Sequence, residues 1–224
     1  MLSWQPAGLI LTGRYHSPRS TEMLRNAGIP VVEIWDLNSS PLDMCVGIDH
    51  FDSGFDMGRY LTSLGYRNLG YVGTSHDTAN AATERLNGFC KAVEGAGGAV
   101  IKQLCLHDTA TYYPGFYGTE QLLVAAPETE CIFYQNDAMA FGGLQYCDGK
   151  RLNVPRDIGI AGWGDLPIAS VMKKRLTSCH VSHLKLGQRA AEKMLARLSG
   201  EAVSNCTNIG FRLIPGSTVD NTGS

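Results

Sequence analysis

Residues Cys131 to Asp165, CIFYQNDAMAFGGLQYCDGKRLNVPRDIGIAGWGD, decide the fold. Cys131 to Tyr134 is a short apolar and aromatic run that reads as a buried strand. Asn136 and Asp137 follow at once, and Asx side chains there satisfy the free N–H groups of the helix begun by AMAFGGLQYC. Gly149 stops that helix, and Val154-Pro155 bars its continuation. Asp157 to Gly162 is a second buried strand that ends at Trp163-Gly164-Asp165. Two parallel strands therefore deliver Gln135-Asn136-Asp137 and Trp163-Gly164-Asp165 to one carboxyl edge of a sheet. Ligands of open α/β sheets bind at that edge.

The same alternation runs outward in both directions. Before the stretch, strands are predicted at Ala7 to Thr12, Pro30 to Trp35, Met44 to Ile48, Arg67 to Gly73 and Val100 to Leu104. Helices are predicted over Pro18 to Ala27, Asp52 to Leu64, Thr83 to Ala96 and Tyr112 to Ala126. After it, Leu176 to Val181 is extended, His183 to Ser199 is an amphipathic helix and Phe211 to Ile214 is a last strand. The tail 215–224 is expected to fray. Strands alternating with helices mean an α/β architecture with parallel sheets. Their continuous apolar character predicts sheets covered on both faces.

Composition narrows the function. The chain of 224 residues is 44% hydrophobic and 18% charged, with a formal net charge of -2, so it offers no global attraction to nucleic acid or to an anionic membrane. No apolar run approaches the ~20 residues of a transmembrane helix. No signal peptide is visible, and a cytoplasmic location is expected. The seven cysteines are scattered, form no C-x-x-C and sit mostly in apolar runs, so they are expected to be buried hydrophobes in a reducing compartment.

Catalytic patterns are missing. No phosphate-binding glycine motif, no G-x-S-x-G elbow and no H-E-x-x-H occurs, so no cofactor or metal is expected. Cys179 and His180 are neighbours on an extended segment, which points their side chains to opposite faces. The pattern favours a binder over an enzyme. The candidate ligand contacts are strand-end polar residues: Arg14, Asp49, Arg85 with the loop before it from Thr74, Asn136, Asp137, Trp163 and Asp165. Arginine supplies a planar fork for carboxylate or phosphate, asparagine a donor and an acceptor, and tryptophan a platform for the C–H face of a sugar.

These residues stand in segments that resemble the lac/gal-type repressor family. The segments are AGLILTG, AGIPVVEIWD, GIDHFDSG, LTSLGYRNLGYVG, ERLNGFCKAV, FYQNDAMAFGGL, IAGWGD, LGQRAAEKMLARLSGE and LIPGSTVD, in the family's order and over nearly the whole chain. LTGRYHSPRS and IGFRLIPGS look most like the branch that governs gluconate utilisation. The resemblance implies a type I periplasmic-binding-protein-like fold. It would hold two similar doubly wound parallel-sheet subdomains with a small effector between them. The expected first subdomain is 1–66 plus 181–208 and the second 67–180 plus 209–224. The chain would cross between them near 66–68, 179–181 and 208–211.

The resemblance also places the family's effector contacts on Arg85, Asn136, Asp137 and Trp163. It implies no enzyme activity, a homodimer in the full-length protein, allosteric coupling, and operator DNA bound only through a helix-turn-helix headpiece. Neither that headpiece nor the family's first strand–helix–strand–helix unit is recognised in this sequence. The first subdomain is therefore expected to be incomplete, with apolar faces exposed. The family usually places Asp directly after the aromatic at 163. Here Gly164 stands there, and Asp165 follows. Losing an acceptor charge beside Arg14 and Arg85 points to an anionic effector, gluconate or a phosphogluconate. The competing expectation is a periplasmic-type solute-binding protein for a sugar or sugar acid.

Overall fold

Apolar runs punctuated by capped helices fold, in a computed structural model, into two parallel four-stranded sheets. The structure describes residues 5–13, 16–37, 40–75 and 80–222. The chain divides into two units, Met1–His50 with Ser182–Phe211, and Phe51–Val181 with Arg212–Ser224. The chain first passes from one unit to the other after His50, so nearly all of one helix belongs to the second unit.

In the first unit, β1 (Leu9–Thr12), β2 (Val31–Asp36), β3 (Met44–Ile48) and β9 (Cys206–Asn208) pair in that spatial order, all parallel. Helix α1 (Pro18–Ala27) starts on Ser17, whose hydroxyl accepts from Ser20 N, and ends on Gly28 at φ 63. Helix α6 (His183–Leu198) is capped by Ser182 and buries Leu186, Ala190 and Lys193. Trp35 departs from strand geometry at φ 86, and its carbonyl fills the space where a side chain at Gly47 would stand. The strand β9 was not expected from the sequence. Its three residues carry no apolar run, and only pairing with β3 makes them a strand.

The second unit contains α2 (His50–Ser63, all but its first residue), β4 (Asn68–Thr74), α3 (Asn80–Gly95), β5 (Ala99–Leu106), α4 (Tyr112–Ala125), β6 (Cys131–Tyr134), α5 (Asp137–Gly149), β7 (Gly159–Ala161), β8 (Ser178–His180) and β10 (Arg212–Ile214). Its sheet runs β5-β4-β6-β7 and is wound from both faces. The two-residue period of the strands sorts the core. Leu69, Tyr71, Cys131 and Phe133 pack with Met57 and Leu61 of α2 and Phe89 and Val93 of α3. Val72, Ile132, Tyr134 and Ile160 pack with Leu122 of α4 and Met139 and Phe141 of α5. This packing draws α2 into the second unit. Burying one such side chain contributes about 1.5–3 kcal/mol.

Three other expectations are corrected. Coverage on both faces holds for β3, β4, β6 and β7, but the edge strands β1 and β5 alternate between shielded and exposed positions. Edge position alone does not decide this, because β7 also lies at an edge of its sheet and is buried throughout. The described part of the tail, through Thr222, is fixed rather than frayed. Thr218 accepts through its carbonyl from Ile160 N and through its hydroxyl from Thr177 N, Val219 is buried, and Thr222 N donates to Leu64 O. The cysteines are not uniformly buried either, because Cys105 and Cys206 are exposed. Exposed large apolar side chains occur in both units, Ile10, Met23 and Leu195 in the first and Tyr113, Val124 and Val171 in the second.

Candidate functional site

Strand order creates the candidate site. After β4 the chain crosses to β5 on one side, and then returns to β6 on the other. The carboxyl ends of β4 and β6 therefore flank a topological switch point, the usual ligand position in such sheets. Gln135, just past β6, bridges that point: its Oε1 accepts from Thr74 N at 2.7 Å. Arg85, on the first turns of α3, reaches the same place. Its Nη2 donates to Gln135 O at 3.4 Å, and its guanidinium lies 4.0 Å from the centre of the Trp163 ring. Arg85 is 7% exposed, so its charge is largely withdrawn from water. A cation over an indole face is held by the ring quadrupole, more strongly when desolvated.

Trp163 enters from β7. Its Nε1 donates to Ser53 Oγ at 3.3 Å, and its carbonyl accepts from Asp137 N at 3.0 Å, which ties the ends of β6 and β7 together. The segments that follow β6 and β7 thus meet at one edge. Asn136 is the N-cap of α5: Oδ1 accepts from Met139 N at 2.9 Å, while Nδ2 donates to Ala110 O at 2.9 Å. An amide has further donor and acceptor capacity after those two bonds.

The acids are braced by protein groups. Asp137 is fully buried; its Oδ1 accepts from Ser178 Oγ at 2.6 Å and its Oδ2 from Leu166 N at 2.7 Å. Burial pushes its carboxyl above the ordinary range, those two hydrogen bonds pull it back, and the Asp165 charge adds to the rise. Asp165 follows Gly164 at φ 127 and itself sits at φ 51. That left-handed turn is open to glycine and costly for other residues. It brings Asp165 Oδ2 to 2.9 Å from His180 Nδ1.

The structure thus gathers Arg85, Asn136, Asp137, Trp163 and Asp165 at one sheet edge of the second unit. Asp49 follows β3 in the first unit, and Arg14 lies outside the described residues, as do 76–79 of the loop before Arg85. Sequence reasoning passed over Gln135 as a contact, and with it Ser178 and His180. The last two had a signal: at i, i+2 spacing on an extended segment they share one face. Cys179 between them is buried, which pushes its thiol up to about 12, so it cannot serve as a nucleophile near neutrality. Among the described residues no group of acids, histidines and cysteines suits a metal ion, and no helix is long and apolar enough to cross a membrane.

Residues 59–219 match the periplasmic binding protein-like domain family. The chain is 35% identical over 220 residues to the HTH-type transcriptional regulator GntR of Escherichia coli K12, covering 98% of this chain and 66% of the relative. It is 30% identical over 223 residues to the HTH-type transcriptional regulator IdnR of the same strain, covering 98% and 66%. It superposes with a TM-score of 0.91 on the crystal structure of a LacI-family transcriptional regulator from Silicibacter pomeroyi. That protein is 30% identical, with 98% of this chain and 66% of the other covered. The chain thus spans just under two thirds of the length of these relatives.

Proposed function

Because the chain belongs to the periplasmic binding protein-like domain family, in the lac/gal-type regulator branch, we propose that it is the effector-sensing part of a bacterial transcriptional repressor and that its effector is a small sugar acid, gluconate or a phosphogluconate. The observation that carries the reading is the buried Arg85 guanidinium stacked on Trp163 at the β4/β6 switch point. A carboxylate or phosphate gains charge-assisted hydrogen bonds from a guanidinium. The indole offers the C–H face of a polyol an apolar platform. Asp137 and Asp165 spend acceptor capacity on Ser178, Leu166 N and His180, which weakens the case for chelated neutral diols.

In this reading Arg85 grips the acid group, Trp163 supports the carbon chain and Asn136 bonds a hydroxyl. Asp137 and Asp165 set the shape of the edge, and Arg14 and Asp49 complete the contact set on the strength of the resemblance. Occupancy would alter operator binding by a helix-turn-helix segment of the kind the relatives' names declare, in a cytoplasmic homodimer. The regulator names of those relatives favour this over an exported solute-binding protein.

A thermal-shift series tests it. Gluconate and phosphogluconate should raise the melting temperature, while glucose and galactose should leave it unchanged. Stabilisation by the neutral hexoses with none by the sugar acids would overturn the assignment.

A further inference from the structure

We propose that Cys45 and Cys206 form a hydroperoxide-sensitive dithiol pair that closes to a disulfide and locks β9 onto β3. This proposal lies within the first unit and does not rest on the ligand reading. The two cysteines are far apart in sequence and belong to no redox motif. The fold nevertheless places them in register on adjacent parallel strands, with their sulfurs 2.7 Å apart. Neighbouring strands run about 4.7–4.9 Å apart, inside the Cα separation of about 4.4–6.8 Å that a disulfide spans.

Access and electrostatics divide the labour between the two sulfurs. Cys206 is exposed on the short edge strand, and Cys45 is fully buried beneath it. Lys193 of α6 points its ammonium at the same corner, where it donates to Ser204 O and, at 3.2 Å, to Ser204 Oγ. Burial lowers the basicity of Lys193, and charge on either cysteine restores it. The ammonium thus stands as a positive charge in the neighbourhood of the two sulfurs. A cavity of ≈ 270 Å³ lies in the same unit, lined by Lys193, Ser204 and Thr207 among others. Cys147 and Cys179 are buried instead, with thiols pushed up to about 12.

The chemistry balances with a hydroperoxide as oxidant. The Cys206 thiolate attacks the terminal peroxide oxygen, the O–O bond breaks, and the other oxygen leaves as alkoxide or hydroxide and takes a proton. Cys206 is then a sulfenic acid. The Cys45 sulfur attacks it, the S–O bond breaks, and water leaves with the Cys45 proton. Two thiols and one hydroperoxide give one disulfide, one alcohol (water, from hydrogen peroxide) and one water. The pair loses two electrons, and the peroxide gains them. A thiol reductant reverses the bond by exchange. The product ties β9, an edge strand of three residues, to the centre of its sheet, and so closes the long chain segment between the two cysteines.

The test treats the reduced chain with hydrogen peroxide and follows it by intact mass, peptide mapping and thermal unfolding. The expected result is a loss of about 2 Da, a Cys45–Cys206 linked peptide, a rise in melting temperature of several degrees, and full reversal by dithiothreitol. Cys206→Ser should fold like the wild type, because the residue is exposed, and should show neither the link nor the rise. Cys45→Ser should leave Cys206 accumulating as a sulfenic acid that a dimedone reagent traps. Oxidation of the wild type that leaves Cys206 as sulfenic or sulfinic acid, or linked to another chain, would overturn the proposal. So would a Cys45–Cys206 link that leaves the melting temperature unmoved.

Discussion

Helices α1 and α5 begin alike and end up in different surroundings. Each follows a short strand. Each is capped by a side chain that accepts from the N–H three residues on, Ser17 from Ser20 and Asn136 from Met139. Yet α5 buries Met139, Ala140, Phe141, Tyr146 and Cys147, while α1 buries nothing. The difference lies in the strands they lie near. Helix α5 packs over the middle of a sheet wound from both faces, and the strand before α1 is an edge strand with Ile10 exposed. Good caps define where a helix starts; only neighbours give it a core.

The largest effect that sharpens this comparison is a core deletion. Phe133→Ala in β6, fully buried against Phe89 and Tyr71, should cost about 3–5 kcal/mol. Met23→Ala in α1, with a residue 48% exposed, should stay within about 0.5 kcal/mol. Denaturant unfolding followed by circular dichroism measures both, and comparable losses would break the contrast.

Next in size is Gly164→Asp, which puts there the residue that the resemblance led one to expect. At φ 127 the new side chain is strained, and the cost should be about 1–3 kcal/mol with the Asp165–His180 contact disturbed. A neutral result would mean that the turn is adaptable and that the glycine has no backbone reason.

Caps come third. Asn136→Ala should lose about 1–2 kcal/mol, since it removes both the cap and the bond to Ala110 O. Ser17→Ala, exposed at the start of a helix with no buried face, should lose about 0.5–1 kcal/mol. Equal losses in thermal melts would show that the caps, not their surroundings, set the difference.

The smallest effect is in pH. Asn153 N and then its side chain, with Arg156 beside them, hold Asp157 at about 2 against an ordinary 3.8. Its contribution is present above 3.8 and is lost as pH falls towards 2. Asp137 has the opposite sign: its raised carboxyl contributes fully below 3.8, and that contribution is lost as pH rises through its folded value. Acid melts of Asp157→Asn should therefore fall less steeply than the wild type between pH 4 and 2. An unchanged slope would remove Asp157 from the account.

What was legible in the sequence was local. The cap Asn136, the stops at Gly28 and Gly149, and the strand–helix alternation depend on residues a few positions apart, and they appear within a few residues of the expected places. Asn136 and Trp163 could be placed at one edge because parallel strands end together. What stayed hidden depends on distant partners. Strand β9 exists through β3, Thr218 and Thr222 are fixed by Ile160, Thr177 and Leu64, and α2 is claimed by the helix it packs against. Gln135 looked like a turn residue because its partners, Thr74 N and the Arg85 guanidinium, come from the other side of the switch point.

The Arg85 guanidinium on Trp163 is proposed to hold an acid group. Calorimetric titration of gluconate into the wild type, Arg85→Gln and Arg85→Lys tests it most directly, with circular dichroism to show that the variants are folded. The wild type should bind, Arg85→Gln should weaken binding about 10- to 100-fold, and Arg85→Lys should fall between, keeping the charge but not the planar fork. Gluconate binding of equal strength in the wild type and folded Arg85→Gln would contradict it.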